Sequence, residues 1–179
     1  MKLTHFLYPF LFVVLTAACA SQKVGYDYDR SAHFNDYRTY EWGPGTSQAT
    51  DDPRIDNPLL DAHIRNAVVA ELRSKGFTTP THGKPDFYVV YHAGVTDLMK
   101  GSSSQKYIGD RAHGTYTTIS DIQPYREGTL LIDIVDAASK QLVWQASAMA
   151  EVDPGMNSEE RDMRIHQIVR AMLAPFPPK

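Results

Sequence analysis

A single cysteine sets the terms on which this chain can fold. Cys19 is its only thiol in 179 residues. It closes an apolar N-terminal run, Leu15-Thr16-Ala17-Ala18-Cys19. One cysteine forms no internal disulfide, so a packed core has to hold the fold. Without residues 1–18 the chain keeps 161 (179 − 18), enough for one domain with a real core and short for two. Its 42% apolar and 22% charged fractions suit a folded domain. With 18 basic and 21 acidic side chains, loss of Lys2 leaves 17 − 21 = −4. That balance gives nucleic acid no electrostatic footing. No later segment approaches the roughly 20 apolar residues that cross a bilayer.

The N-terminal run has three parts: Met1-Lys2 as a positive start, apolar residues 6–15 interrupted by Pro9, and small residues before the cysteine. It is too short for a permanent span and reads as a signal peptide. It resembles the bacterial lipoprotein signal, with Ala18 and Cys19 flanking the cut. The usual Leu three before the cysteine is replaced by Thr16, and Leu15 stands one earlier. The resemblance implies acylation of Cys19, and two or three acyl chains hold a protein stably where one does not. Ala20 and Ser21 lack the Asp that favours inner-membrane retention, which points to the outer membrane, facing the periplasm. The expected division is a signal peptide over 1–18, a lipidated tether over 19–23 and one domain over 24–179.

Val24-Gly25-Tyr26-Asp27-Tyr28-Asp29 alternates and predicts a half-buried strand with Val24, Tyr26 and Tyr28 inward. A short aromatic strand over 39–42 stops at Gly43-Pro44-Gly45, and a polar surface loop follows over 46–56. Asn57 as cap and Pro58 in the first turn open a helix. Leu60, Ile64, Val68 and Leu72 form its stripe, and Gly76 ends it. Residues 87–95 are apolar on both faces and predict a central strand. Residues 97–125 carry weak signals: a hairpin or a functional loop, with Gly101-Ser102-Ser103-Ser104 as an exposed tip and 116–119 as a further strand. Gly128 opens a hairpin that turns over 136–140 and returns over 142–148. Asn157 and Glu160 have capping-box spacing before a last helix with Ile165, Ile168, Val169, Met172 and Leu173 inward. The expected class is α+β: a mainly antiparallel sheet of four to six strands with two amphipathic helices packed on one face.

In order along the chain, several blocks resemble one family, bacterial lipoproteins carrying the domain of unknown function 4136. They are the Tyr26-Asp27-Tyr28-Asp29 strand, Tyr37-Arg38-Thr39-Tyr40-Glu41-Trp42, Ile55-Asp56-Asn57-Pro58-Leu59 and Lys84-Pro85-Asp86-Phe87. Residues 128–136, Leu142-Val143-Trp144, and 168–173 before Phe176-Pro177-Pro178 complete the set. The resemblance implies a lipid-anchored α+β envelope domain. It implies no activity and carries over no catalytic residue.

Four residues are weighed for chemistry. Ser103 and Lys106 fit the S-x-x-K pattern of penicillin-recognising enzymes, but neither K-T-G nor S-D-N occurs, and a chance match in a solvated loop is the plainer account. Asp133 lies within an apolar strand, where the solvent side of a sheet explains it. His92 in the central strand reads as a structural imidazole. The other histidines are single, with no H-x-x-x-H pair, so no metal or cofactor is expected. Alternating aromatics read as sheet packing before a sugar platform. The leading expectation is a non-catalytic binding or scaffolding module, held to membrane lipid through Cys19, with an envelope protein or glycan as partner. The alternative is an envelope hydrolase or a glycan- or lipid-processing enzyme with its site near 97–125.

Overall fold

The computed structural model describes residues 23–46, 56–109 and 115–178. The leader, Cys19, most of the 46–56 loop and His113 lie outside the described residues. Five strands form one sheet: β1 (Lys23–Tyr28), β2 (Tyr40–Trp42), β3 (Phe87–Ile108), β4 (Thr115–Asp136) and β5 (Leu142–Glu151). Their order is β1-β5-β4-β3-β2, antiparallel except for the β2–β3 pair. Helices α1 (Pro58–Ser74) and α2 (Ser158–Leu173) pack together on one face of the sheet. The α+β expectation holds, with five strands.

Each helix begins where its cap residue accepts an orphan amide. The Asn57 side chain accepts from Leu59 N at 2.9 Å, with Pro58 in the first turn. Asn157 accepts from Glu160 N at 3.0 Å while Glu160 Oε2 accepts from Asn157 N at 2.9 Å, a complete capping box. Just past α1, Gly76 takes φ 90°, a left-handed conformation that costs glycine no Cβ clash.

Parallel strands need a crossover, and α1 supplies it between β2 and β3. β2, β3 and β5 all run toward one end of the sheet, and both helices start there and return. The far end is closed by an aromatic cluster. The Phe176 ring lies 5.2 Å from Trp144, 5.5 Å from Phe77 and 5.7 Å from Phe87. Phe87, Trp144 and Phe176 are all fully buried, with Leu72, Ile132, Ile134, Met172 and Leu173 around them.

Several expectations are sharpened or changed. Residues 97–125 take the hairpin alternative and not the functional loop, but the expected tip is misplaced. β3 and β4 pair without a break from Phe87↔Asp136 to Ile108↔Thr115, so Gly101 to Ser104 are mid-strand and the turn falls between Ile108 and Thr115. The hairpin over 128–148 is likewise the inner part of a longer meander. The 22-residue strands outrun the helices, so the distal ribbon has no core to mark it with an apolar period. β3 is an interior strand over Phe87–Val89, between β4 and the short β2, as expected, while β4 is the middle strand of the five. On β1, Val24 and Tyr26 are exposed and only Tyr28 is half-buried, since this strand is the sheet's edge.

Candidate functional site

The residues singled out from the sequence do not meet. Asp133 and His92 lie on the sheet face away from the helices. Asp133 is half-buried and accepts from Gln145 Nε2 at 2.8 Å, with His92 Nε2 at 3.9 Å from its other oxygen. This is the solvent-side account of Asp133, with its partner supplied. Ser103 and Lys106 stand far out on the β3 extension, both exposed. Three residues apart on a strand, they point to opposite faces, whereas on a helix the same spacing would align them. Among the described residues no group of three or more His, Cys, Asp or Glu is placed to hold a metal ion.

Three polar clusters tie elements together. At the closed end, Asp86 Oδ2 accepts from Arg38 N at 2.8 Å, Thr39 N at 2.7 Å and Thr39 Oγ1 at 2.9 Å. Burial raises its carboxyl, but these donors outweigh burial and hold it below the ordinary range. Asp136 caps the β4–β5 turn and accepts from Tyr37 Oη at 2.8 Å. Burial raises the Tyr37 hydroxyl first, and the Asp136 carboxylate raises it further. Between the helices, His63 Nδ1 is 2.6 Å from Asp162 Oδ1, and His166 Nε2 is 3.8 Å from Oδ2. On α1, Arg65 pairs with Asp61 at 2.9 Å and stacks 4.5 Å over Trp42, fixing the helix to the β2 edge.

The concave site is at the open end. A pocket of about 330 Å³ lies between the sheet and the N-terminal turns of both helices. Two cross-strand rows make its floor, Ala93–Leu130–Ala148 and Val95–Gly128–Ala150. Five of these six are glycine, alanine or valine, of low bulk, at the positions nearest the helices' ends, which leaves depth. Leu60 and Ile64 of α1 and Ile165 and Ile168 of α2 form the walls. This explains why Leu60, Ile165 and Ile168 of the two apolar stripes are only half-buried.

The rim is cationic on one side. Arg126, Arg161 and Arg164 line it, faced by Glu151 and Asp153. Arg126 pairs with Asp97 at 3.0 Å, and Arg161 donates to Met156 O at 3.2 Å. Arg164 is half-buried and has no ion-pair partner among the described residues. Both helix dipoles present their positive ends here. Sequence reasoning missed these arginines. Their signal is two arginines in the first turns of a helix, where the dipole favours acids.

Solved structures share this fold. A PDZ domain protein from Parabacteroides distasonis aligns with 88% of this chain at 15% identity and a TM-score of 0.56, and this chain spans 36% of that one. A point variant of PelC from Paraburkholderia phytofirmans, a dodecamer, aligns over 87% of this chain and 96% of its own, at 10% identity and a TM-score of 0.50. Such identities speak to the fold alone. No curated protein matches the chain. The model of the domain of unknown function DUF4136 matches residues 24–178, and the chain belongs to that family.

Proposed function

We propose that this protein is a lipid-anchored envelope binding module, held by acylated Cys19 in the outer membrane, whose pocket takes a small amphipathic anion. The observation that carries the ligand class is the pairing of an apolar floor and walls with Arg126, Arg161 and Arg164 at the rim. Its volume sits at the low end of the roughly 300–1,000 Å³ usual for small-molecule sites. An acyl or other apolar body fits the floor, and a carboxylate or phosphate head fits the arginines, which bind such groups through two parallel hydrogen bonds. The described residues bring together no nucleophile, base and oxyanion donor, so binding explains the site better than catalysis does.

Two experiments test the two halves of this reading. Cys19→Ala should move the protein from the membrane fraction to the soluble periplasm, and unchanged membrane association would overturn the anchor. For the pocket, the mature domain without lipid is titrated with a fluorescent long-chain fatty acid. Binding should weaken about tenfold in Arg164→Ala, the loss of one charge-assisted contact of roughly 1.5 kcal/mol, and disappear in Ala150→Phe, which fills the floor. Absence of binding to the unaltered domain, or equal binding by all three proteins, would sink the ligand assignment.

A further inference from the structure

Beyond the pocket, β3 and β4 continue as a two-stranded arm, 97–108 against 115–126. At roughly 3.3 Å per residue it extends about 35 Å. Among the described residues both of its edges are unpaired beyond Arg126, whose carbonyl accepts from Val152 N at 2.9 Å, because β2 pairs with β3 only over Phe87–Val89 and β5 pairs with β4 only from Glu127 inward. It contributes no buried side chain. Isolated ribbons of this kind are marginal in water.

The arm leaves the body where the N-terminus leaves it. Lys23 stands on one cross-sheet row with Met149, Thr129 and Gly94. The arm therefore starts about two strand spacings across and three residues along from Lys23, each step roughly 10 Å. Cys19 is four residues before Lys23, a reach of at most about 14 Å. A bilayer holding the Cys19 acyl chains is thus close to the root of the arm.

The arm's two faces differ. One continues the sheet face that bears the pocket. By register it carries Met99, Tyr107, Tyr116 and Ile122 among Gly, Ser, Thr, Gln and Pro, with no charged residue beyond Asp97 and Arg126. Met99 is 70% exposed, Tyr116 69% and Ile122 65%. The opposite face carries Lys100, Lys106 and Asp121, and with them Leu98, Ile108, Ile119 and Tyr125. Both faces thus bear tyrosine and large apolar side chains; they differ in charge, and the face without lysines suits the water–lipid boundary.

We propose that the arm is a membrane-contact element: its uncharged face lies in the headgroup region of the bilayer that holds Cys19. This rests on the lipid anchor proposed above. The unpaired backbone edges forbid a single arm from crossing the hydrocarbon, where no water would satisfy them. Lying flat leaves those edges in the hydrated interface.

The test uses the full, lipidated protein in vesicles of phosphatidylethanolamine and phosphatidylglycerol. Acylation occupies the Cys19 sulfur, so one added cysteine is the sole free thiol and takes an NBD label. Ile122→Cys reports the arm. Arg73→Cys, exposed at the far end of α1, reports the body. The Ile122 label should shift to the blue and be reduced by dithionite several-fold more slowly than the Arg73 label. Adding Met99→Asp should abolish that protection without changing thermal stability. Equal reduction at both sites in protein that co-floats with vesicles overturns the arm while leaving the anchor. Failure to co-float, with a free Cys19 thiol, removes both. Protection of the Ile122 label that persists in Cys19→Ala protein without vesicles shows pairing with a second copy, and overturns the membrane assignment.

Discussion

Asp86 joins two segments with one carboxylate. Its Oδ2 receives the amides of Arg38 and Thr39 and the Thr39 hydroxyl, which positions β2 beside β3. Its period in the sequence gives no hint of this, since it stands before the strand pattern begins at Phe87. Asp86→Asn should lower stability by about 1–3 kcal/mol at neutral pH, the worth of hydrogen bonds to a charged acceptor, measured by urea unfolding. The folded carboxyl lies below its ordinary value. Near pH 4 the unfolded chain therefore binds more protons at this site than the folded one. The contribution is complete above about pH 4 and is lost as pH falls through the folded value. The acid-unfolding curve of Asp86→Asn should be correspondingly flatter below pH 4, and identical acid profiles would refute this role. Asp133 illustrates the opposite case: its place between apolar neighbours was visible, but Gln145 as its partner was not, because cross-strand neighbours depend on register.

At the scale of elements, helices are the legible part. Caps and glycine stops are local chemistry, and Asn57, Gly76, Asn157 and Glu160 act where their spacing places them. Asn157→Ala should cost about 1 kcal/mol, read as a lower urea midpoint with an unchanged slope. The arm is the illegible part. Over 98–108 and 115–125 its two strands pair only with each other, so neither face is selected by burial and no alternation develops. All fully buried side chains of β3 and β4 lie at Phe87, Val89, Ile132 and Ile134. Replacing 98–125 with a tight two-residue turn should therefore leave the melting temperature of the body within a few degrees, roughly 1 kcal/mol for a domain of this size. A large drop in a calorimetric scan would mean that the arm packs on something in the body.

At the scale of the molecule, Phe176 makes the closure. It follows the last helix and meets Phe34, Phe77, Phe87 and Trp144 from four separate segments. Phe176→Ala should cost about 3–5 kcal/mol, through lost burial and the cavity left behind, and should lower thermal and urea midpoints together. Leu59→Ala, exposed on α1, should change either by no more than about 0.5 kcal/mol. At the other end, the same logic of packing is left incomplete. The helices stop short of the sheet's last rows, and the pocket is the space that results.

Local pattern sufficed for two capped helices with apolar stripes, for the inner parts of the strands, for the α+β class and for the lone cysteine before the domain. These follow from periods, caps and turn residues a few positions apart. Which residues share a place was settled by sheet order and strand register. Leu60, Ile168, Ala150 and Arg126 come from distant segments, and sheet order and register bring them to one pocket. Register likewise set Ser103 and Lys106 on opposite faces, and placed the arm beside the end from which Cys19 extends. The physical reason is common to all three: a side chain's neighbours across a sheet are fixed by strand pairing between residues far apart in the chain, which no local pattern encodes.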